Sequence, residues 1–437
     1  MTNQPTMTGE EIIQLNREYT FFSWSAQSAV NPIPAVRAEG VHFWDADGKR
    51  YLDFASQLVN MNIGHQHPKV VRAIQEQAAK LCFVQPALAT EPRGRLGKML
   101  SEVTPGNLKK AFFCLGGAEA IENAIKIART VTGRSKILAR YTSYHGATHG
   151  AAALTGDYRR WAVEPAIPGV VHILDPYCYR CSFGWTRETC HRECIRHIEQ
   201  VIQFEGPDRI AALVLEGVTG TNGVIVPPDD YWPRVREMCD KYGILLVDDE
   251  VMSGFGRTGK WFAVDHWGVV PDMITMAKGI TCGTVPLGAV VVSEPIARYF
   301  DEHVLMCGLT YSSHTLACAA GVATLQVYRE EGLIENSARL GTVLGERLEE
   351  LKRKHRSVGD VRYLGLFSAI ELVQDRSTKD PLTAPMPAII KFLREQGLFV
   401  FAPKNMILVT PPLCITQAQL DEGLALVDQA LDIADKA

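Results

Sequence analysis

The chain has 437 residues, of which 46% are hydrophobic and 22% charged, with a formal net charge of −4. This composition suits a globular protein with a large core, and the length exceeds a single average domain, so two lobes sharing one chain are expected. The weak negative charge gives no electrostatic reason to expect nucleic acid or an anionic membrane as partner.

No apolar run approaches the ~20 residues that span a bilayer, and 11 cysteines, an odd number, argue against a disulfide framework. The first residues lack the basic region and apolar core of a signal peptide, so the cytoplasm is the expected compartment.

In chain order, Pro68 suits the first turn of a helix that would place Val71, Ile74, Ala78 and Leu81 on one face. The apolar run 111–115 leads into Gly116 and Gly117, which open a second amphipathic helix carrying Ile121, Ile125 and Ala128. Short apolar runs at 136–139, 170–174, 210–215, 244–247, 273–276 and 288–292 read as strands. Their alternation with helical patterns is the signature of an α/β fold, a mainly parallel sheet covered by helices. Charged helical pattern dominates from 325 to 356, strand-like pieces return at 365–372 and 397–401, and a last helix starts with Thr416 and Gln419 as a capping box. That helix would bury Leu420, Leu424, Val427 and Leu431. The expected division is an N-terminal segment, 1–60, contributing to a small lobe, a large domain over 61–325 and a C-terminal small domain over 326–437.

Two of the strands end in chemistry. The run 244–247 stops at Asp248-Asp249-Glu250, and the run 273–276 at Ala277-Lys278. A buried strand that ends in an ionisable residue delivers it to the carboxyl edge of the sheet, where open α/β folds bind ligands. A lysine and an acid at one edge suit pyridoxal phosphate, which needs a lysine for its Schiff base and an acid beside its pyridine nitrogen. Strands that merely end at a solvated loop would look the same. Gly116 and Gly117 would let backbone N–H groups approach a phosphate at a helix N-terminus, though an ordinary tight turn uses the same residues. The segments Ser143-Tyr-His-Gly146 and Gly308-Leu-Thr-Tyr-Ser-Ser-His314 add an aromatic face, imidazoles and hydroxyls.

Taken in this order, the segments resemble the class III (subgroup II) aminotransferases, the ω-transaminase group of fold-type I pyridoxal phosphate enzymes. The resemblance runs from Gly40 to Leu413 and is carried by Asp249-Glu-Val251, Gly254-Phe-Gly-Arg-Thr-Gly259, Ala277-Lys-Gly279 and Pro286-Leu-Gly-Ala289. It implies that Lys278 holds the cofactor and shuttles a proton, while Asp249 keeps the pyridine nitrogen charged. Asp248 should point to the opposite face by strand alternation. The resemblance further implies that Tyr144 and Val251 sandwich the ring and that Gly117 and Ala118 present N–H groups to the phosphate. Thr310 would reach the phosphate of a neighbouring subunit in a homodimer with shared sites. Glu216 matches an acid near the cofactor, and Arg257 an arginine of the same family; structural ion pairing fits both as well.

The same resemblance bears on substrate. Family members acting on 4-aminobutyrate or ornithine carry an arginine and a glutamate where this chain has Leu408 and Thr221. The segment 220–232 is instead similar to the amine:pyruvate and taurine:pyruvate branch, with Trp24, Leu58 and Val59 at pocket positions. The expected reaction moves an amino group from a primary amine or ω-amino acid, such as taurine or β-alanine, to pyruvate. A 4-aminobutyrate:2-oxoglutarate-type enzyme, an aminomutase or racemase on the same fold, and a non-catalytic binding relative are the alternatives. Lys404, Arg159, Arg160 and Arg257 are the cations that could hold a substrate acid group. Cys178, Cys181, Cys190 and Cys194, with His191 and His197 nearby, have a spacing that could hold structural zinc, but unligated cysteines in an insertion are the expectation and no metal is assigned.

Overall fold

The structure, a computed structural model, describes residues 7–437. Its centre is a seven-stranded sheet in which Leu108–Cys114, Gly288–Ser293, Met273–Met276, Leu245–Asp249, Ile210–Glu216, Lys136–Arg140 and Val170–Ile173 lie side by side in that order. Gly288–Ser293 runs antiparallel to both of its neighbours, and the pairings from Met273–Met276 to Val170–Ile173 are parallel. The inner strands are buried on both faces, which explains why they read as unbroken apolar runs rather than as alternation. Register then fixes the site. Glu216 is opposite Asp249, and Asp249 is opposite Thr275, so three strand ends finish level at one edge.

Two smaller sheets flank the centre. Ala35–Glu39, His42–Asp45 and Arg50–Asp53 form an antiparallel meander to which Leu398–Phe399 adds in parallel. Val358–Leu364, Phe367–Leu372 and Met406–Val409 form the other. The N-terminal strands have no counterpart in the apolar-run reading, because Ala35–Glu39 is mostly exposed and carries no buried side chain. The helix Pro68–Lys80 is present, but its buried face is centred one residue earlier than the periodicity suggests. Val70 and Gln77 are buried, whereas Ala78 and Leu81 are exposed, since the helix packs on Thr315–Glu330 with a different rotation. The closing helix Gln417–Asp435 has its capping box at Thr416 and Gln419 and buries all four expected residues.

Arg257 joins these pieces. It is wholly buried, and burial pushes its guanidinium pKa down to about 10. Its Nη1 donates to the carbonyls of Leu366 and Pro411, and its Nη2 to Ser56 Oγ at 3.1 Å and Asn62 Oδ1 at 2.7 Å. One side chain thus pins the N-terminal segment and the C-terminal sheet to the turn at 254–259. Arg257→Met should leave these buried acceptors without their donor and lower unfolding free energy by about 3–5 kcal/mol in a denaturant titration. A loss below about 1 kcal/mol would contradict this role.

Candidate active site

The level strand ends open into a cavity of about 380 Å³, lined by Leu115 to Ala118, Tyr144 to Ala147, Glu216, Thr221, Asp249, Val251, Met252, Lys278 and the 281–287 turn. Lys278 follows Met273–Met276 and adopts φ +44°, a left-handed conformation that a lysine takes only when its surroundings hold it there. Its exposed part faces this cavity rather than bulk water. Burial therefore lowers its pKa, the carboxylates of Asp249 and Glu216 offset part of the effect, and Arg159 adds to it.

The two acids each have dedicated donors. Asp249 is 3% exposed; its Oδ1 accepts from Val251 N–H at 3.1 Å and its Oδ2 lies 2.7 Å from His145 Nδ1. Glu216 accepts from Tyr144 N–H at 3.0 Å and Gly220 N–H at 2.7 Å. Burial raises the pKa of Glu216, with nearby Asp249 acting in the same direction, against His145 and the two N–H donors. Across the cavity, Gly117 begins a sixteen-residue helix, Gly117–Thr132. A Cβ on Gly117 would lie 2.8 Å from Val251 Cγ1, so only glycine keeps that space open beside the helix N-terminus. Tyr144 presents its ring to the cavity, and burial raises its pKa.

The structure thus brings together Lys278, Asp249, Glu216, Gly117, Ala118, Tyr144 and Val251 around one cavity. Four expected residues lie elsewhere. Val59 is 1% exposed and packs in an apolar cluster with Val218, Val224, Met252 and Leu408, so it backs the site instead of lining it. Leu58 is 67% exposed and Thr310 is also exposed, both outside the cavity of this chain. Trp24 stands at the rim, edge-on to Tyr144 with ring centroids 6.2 Å apart. The imidazole of Ser143-Tyr-His-Gly146, given no role by the sequence, is the partner of Asp249. Its place directly after Tyr144, at the same sheet edge, is the available signal.

Of the four cations, Arg159 alone reaches this wall. Its guanidinium lies 4.0 Å from the Tyr144 ring centroid and donates to Thr221 Oγ1 at 2.9 Å, while Asp157 binds it from behind at 2.6 Å. Arg160 pairs with Glu164, Arg257 serves the fold, and Lys404 is exposed. Leu408 is buried in the apolar cluster. The four cysteines are unpaired, and among the described residues the one group of donor atoms close enough to share an ion is His355, Asp432 and Asp435.

Lys278, Asp249, Tyr144 and the Gly117 helix start thus share one cavity, and a lysine with a nearby acid is what pyridoxal phosphate requires of its site. The sequence matches the family described as Aminotransferase class-III over residues 24–431, and the chain belongs to that family. It is 38% identical to the leucine/methionine racemase of Thermococcus litoralis, covering 97% of this chain and 96% of that one. It is 32% identical to the taurine–pyruvate aminotransferase of Bilophila wadsworthia over 98% of each. The crystal structure of taurine:2-oxoglutarate aminotransferase from Bifidobacterium kashiwanohense, in complex with PLP and glutamate, superposes with a TM-score of 0.95 at 46% identity, covering 99% of both chains. The protein is a pyridoxal phosphate-dependent aminotransferase of fold type I that uses an amine donor and an oxo-acid acceptor.

Behind the cofactor acid lies a second pair. Asp248 is fully buried with no N–H or hydroxyl donor on either carboxylate oxygen, and its one hydrogen-bond partner is the neighbouring Glu250 carboxyl. A Cβ on Gly217 would lie 3.1 Å from Glu250 Oε1 and 3.3 Å from Asp248 Oδ1, so both acids crowd one spot. Burial, followed by the neighbouring Glu250, holds Asp248 well above the usual carboxylate range, and burial raises Glu250 to about 7. Acids whose pKa rises on folding stabilise the fold fully below their unfolded values and lose that contribution as pH rises through the folded ones. Thermal midpoints should therefore fall between about pH 5 and about pH 8, and Asp248→Asn should flatten that fall by replacing an ionising partner with an amide donor. Parallel slopes in the two proteins would contradict the shared burial.

Proposed function

We propose that the protein transfers an amino group from a primary amine or ω-amino acid, of the taurine or β-alanine type, to pyruvate. Bound in the cavity, pyridoxal phosphate supplies an electron sink for charge developing at the carbon that bears the amino group. Lys278 Nζ is the group that would hold the cofactor and, when free, would carry a proton to and from that carbon. Its lowered pKa favours the neutral amine that both tasks need. Asp249, oriented by His145 and Val251 N–H, keeps a proton on the ring nitrogen. Of the residues lining the cavity, Tyr144 and Val251 would flank the ring, Glu216 would stand beside it, and Gly117 and Ala118 would hold the phosphate. Thr310 completes the site of a partner subunit in a homodimer. The exposed Leu58, Phe83, Leu88, Met306 and Tyr311 support an association of that kind. A cytoplasmic location belongs to the same reading; no described helix is long and apolar enough to cross a membrane.

The observation that carries the substrate reading is Arg159. A single guanidinium held against Tyr144 and Thr221, two residues of the cavity wall, can anchor one acid group, whether the donor's sulfonate or carboxylate or the acid of pyruvate. 2-Oxoglutarate brings two carboxylates, and Leu408, sealed in the apolar cluster, offers the second one no cation. The second reading, transfer to 2-oxoglutarate, draws on the name of the Bifidobacterium kashiwanohense enzyme. Comparing kcat/KM for the two acceptors with one shared donor should favour pyruvate, and Arg159→Gln should raise KM for the preferred acceptor by about tenfold or more. A clear preference for 2-oxoglutarate would establish the second reading instead. Product formed from an amino acid with no oxo acid added would point to the racemase or aminomutase alternatives.

A further inference from the structure

Arg362 lies on Val358–Leu364, outside the cavity, yet it grips the loop that carries Thr221. Its Nε donates to the Gly223 carbonyl at 2.7 Å, and its Nη1 donates to Asp360 Oδ2 and Glu371 Oε2, both at 2.8 Å. Glu371 is in turn held by Arg180 Nε at 2.6 Å and by the Tyr177 hydroxyl. The guanidinium is therefore locked by two carboxylates, one of them almost fully buried, and has one N–H aimed at the loop.

The loop is shaped for that grip. Gly223 adopts φ +115°, and a Cβ there would come within 2.9 Å of Arg362 Nη2 and 2.6 Å of Met406 Sδ. Gly223 N–H and Val224 N–H both donate to the Gly220 carbonyl, while Gly220 N–H donates to Glu216. The turn 220–223 is thus fixed at one end by Glu216 and at the other by Arg362. Thr221 stands between the two fixed points, and Arg159 donates to its hydroxyl.

We propose that Arg362 is a positioning residue for recognition of the substrate's acid group: by holding the Gly223 carbonyl it sets the Thr221 hydroxyl, and thereby the Arg159 guanidinium over Tyr144. The proposal rests on the reading of Arg159 as the acid anchor. Loosening the turn lets Arg159 swing, which weakens binding of a carboxylate without disturbing Lys278 or Asp249. An acceptor with no acid group should barely register the change.

The test uses the cofactor-loaded enzyme with an amine donor that lacks an acid group, and with pyruvate or propanal as acceptor. Arg362→Lys keeps a cation between Asp360 and Glu371 but loses the planar fork that also reaches Gly223. Gly223→Ala attacks the same contact without altering charge. Both should raise KM for pyruvate by roughly fivefold or more, while kcat/KM for propanal falls less than about threefold. An equal loss with both acceptors would mark a general structural role and overturn the proposal, as would an unchanged pyruvate KM in both variants. Arg159→Gln separates the two levels. If it leaves pyruvate KM unchanged, the anchor reading fails and this proposal with it; if it raises KM while both loop variants do not, the positioning role alone is overturned.

Discussion

Keeping one lysine amine out of bulk water, opposite two carboxylates, is the constraint on which the rest of this structure depends. Solvation by bulk water would leave Lys278 a fully charged ammonium; a cavity with its own acids sets the balance locally. That balance requires Asp249 and Glu216 to be buried, and a buried carboxylate is costly unless it has donors. His145, Val251 N–H, Tyr144 N–H and Gly220 N–H supply them. The strand register brings the groups together, and the left-handed turn at Lys278 aims the amine.

Neighbouring positions on Leu245–Asp249 do opposite work. Asp249 faces the cavity and accepts from Val251 N–H, whereas Asp248 points behind the sheet and shares a hydrogen bond only with the Glu250 carboxyl. Strand alternation alone separates a carboxylate suited to holding a proton on a ring nitrogen from one whose burial beside Glu250 disfavours its ionisation. The arginines divide in a similar way. Arg257 is spent on the fold, Arg159 meets the cavity wall, and Arg362 connects the C-terminal sheet to the turn beside it.

What could be read in the sequence follows from locality. The central strands were legible because burial on both faces makes them apolar throughout, and Lys278 and Asp249 because those runs end at them. The closing helix was legible from its capping box and spacing. The N-terminal meander was not, since its first strand is exposed and its partner Leu398–Phe399 comes from the far end of the chain. The roles of His145 and Arg362 were not legible for a related reason. Their decisive partners are 104 and 139 residues away, and no local pattern records such a contact. Nor does a pocket position inferred from resemblance say which way Val59, with its left-handed φ, turns; here it packs into an apolar cluster with Met252.

The central claim, that the buried amine at the end of Met273–Met276 is the group that binds the cofactor, can be tested chemically. Borohydride reduction of the loaded enzyme, followed by proteolysis and mass spectrometry, fixes the cofactor to whichever lysine holds it. The account predicts the pyridoxyl group on the peptide containing Lys278 and on no other. Labelling of a different lysine, with Lys278 unmodified, would contradict it.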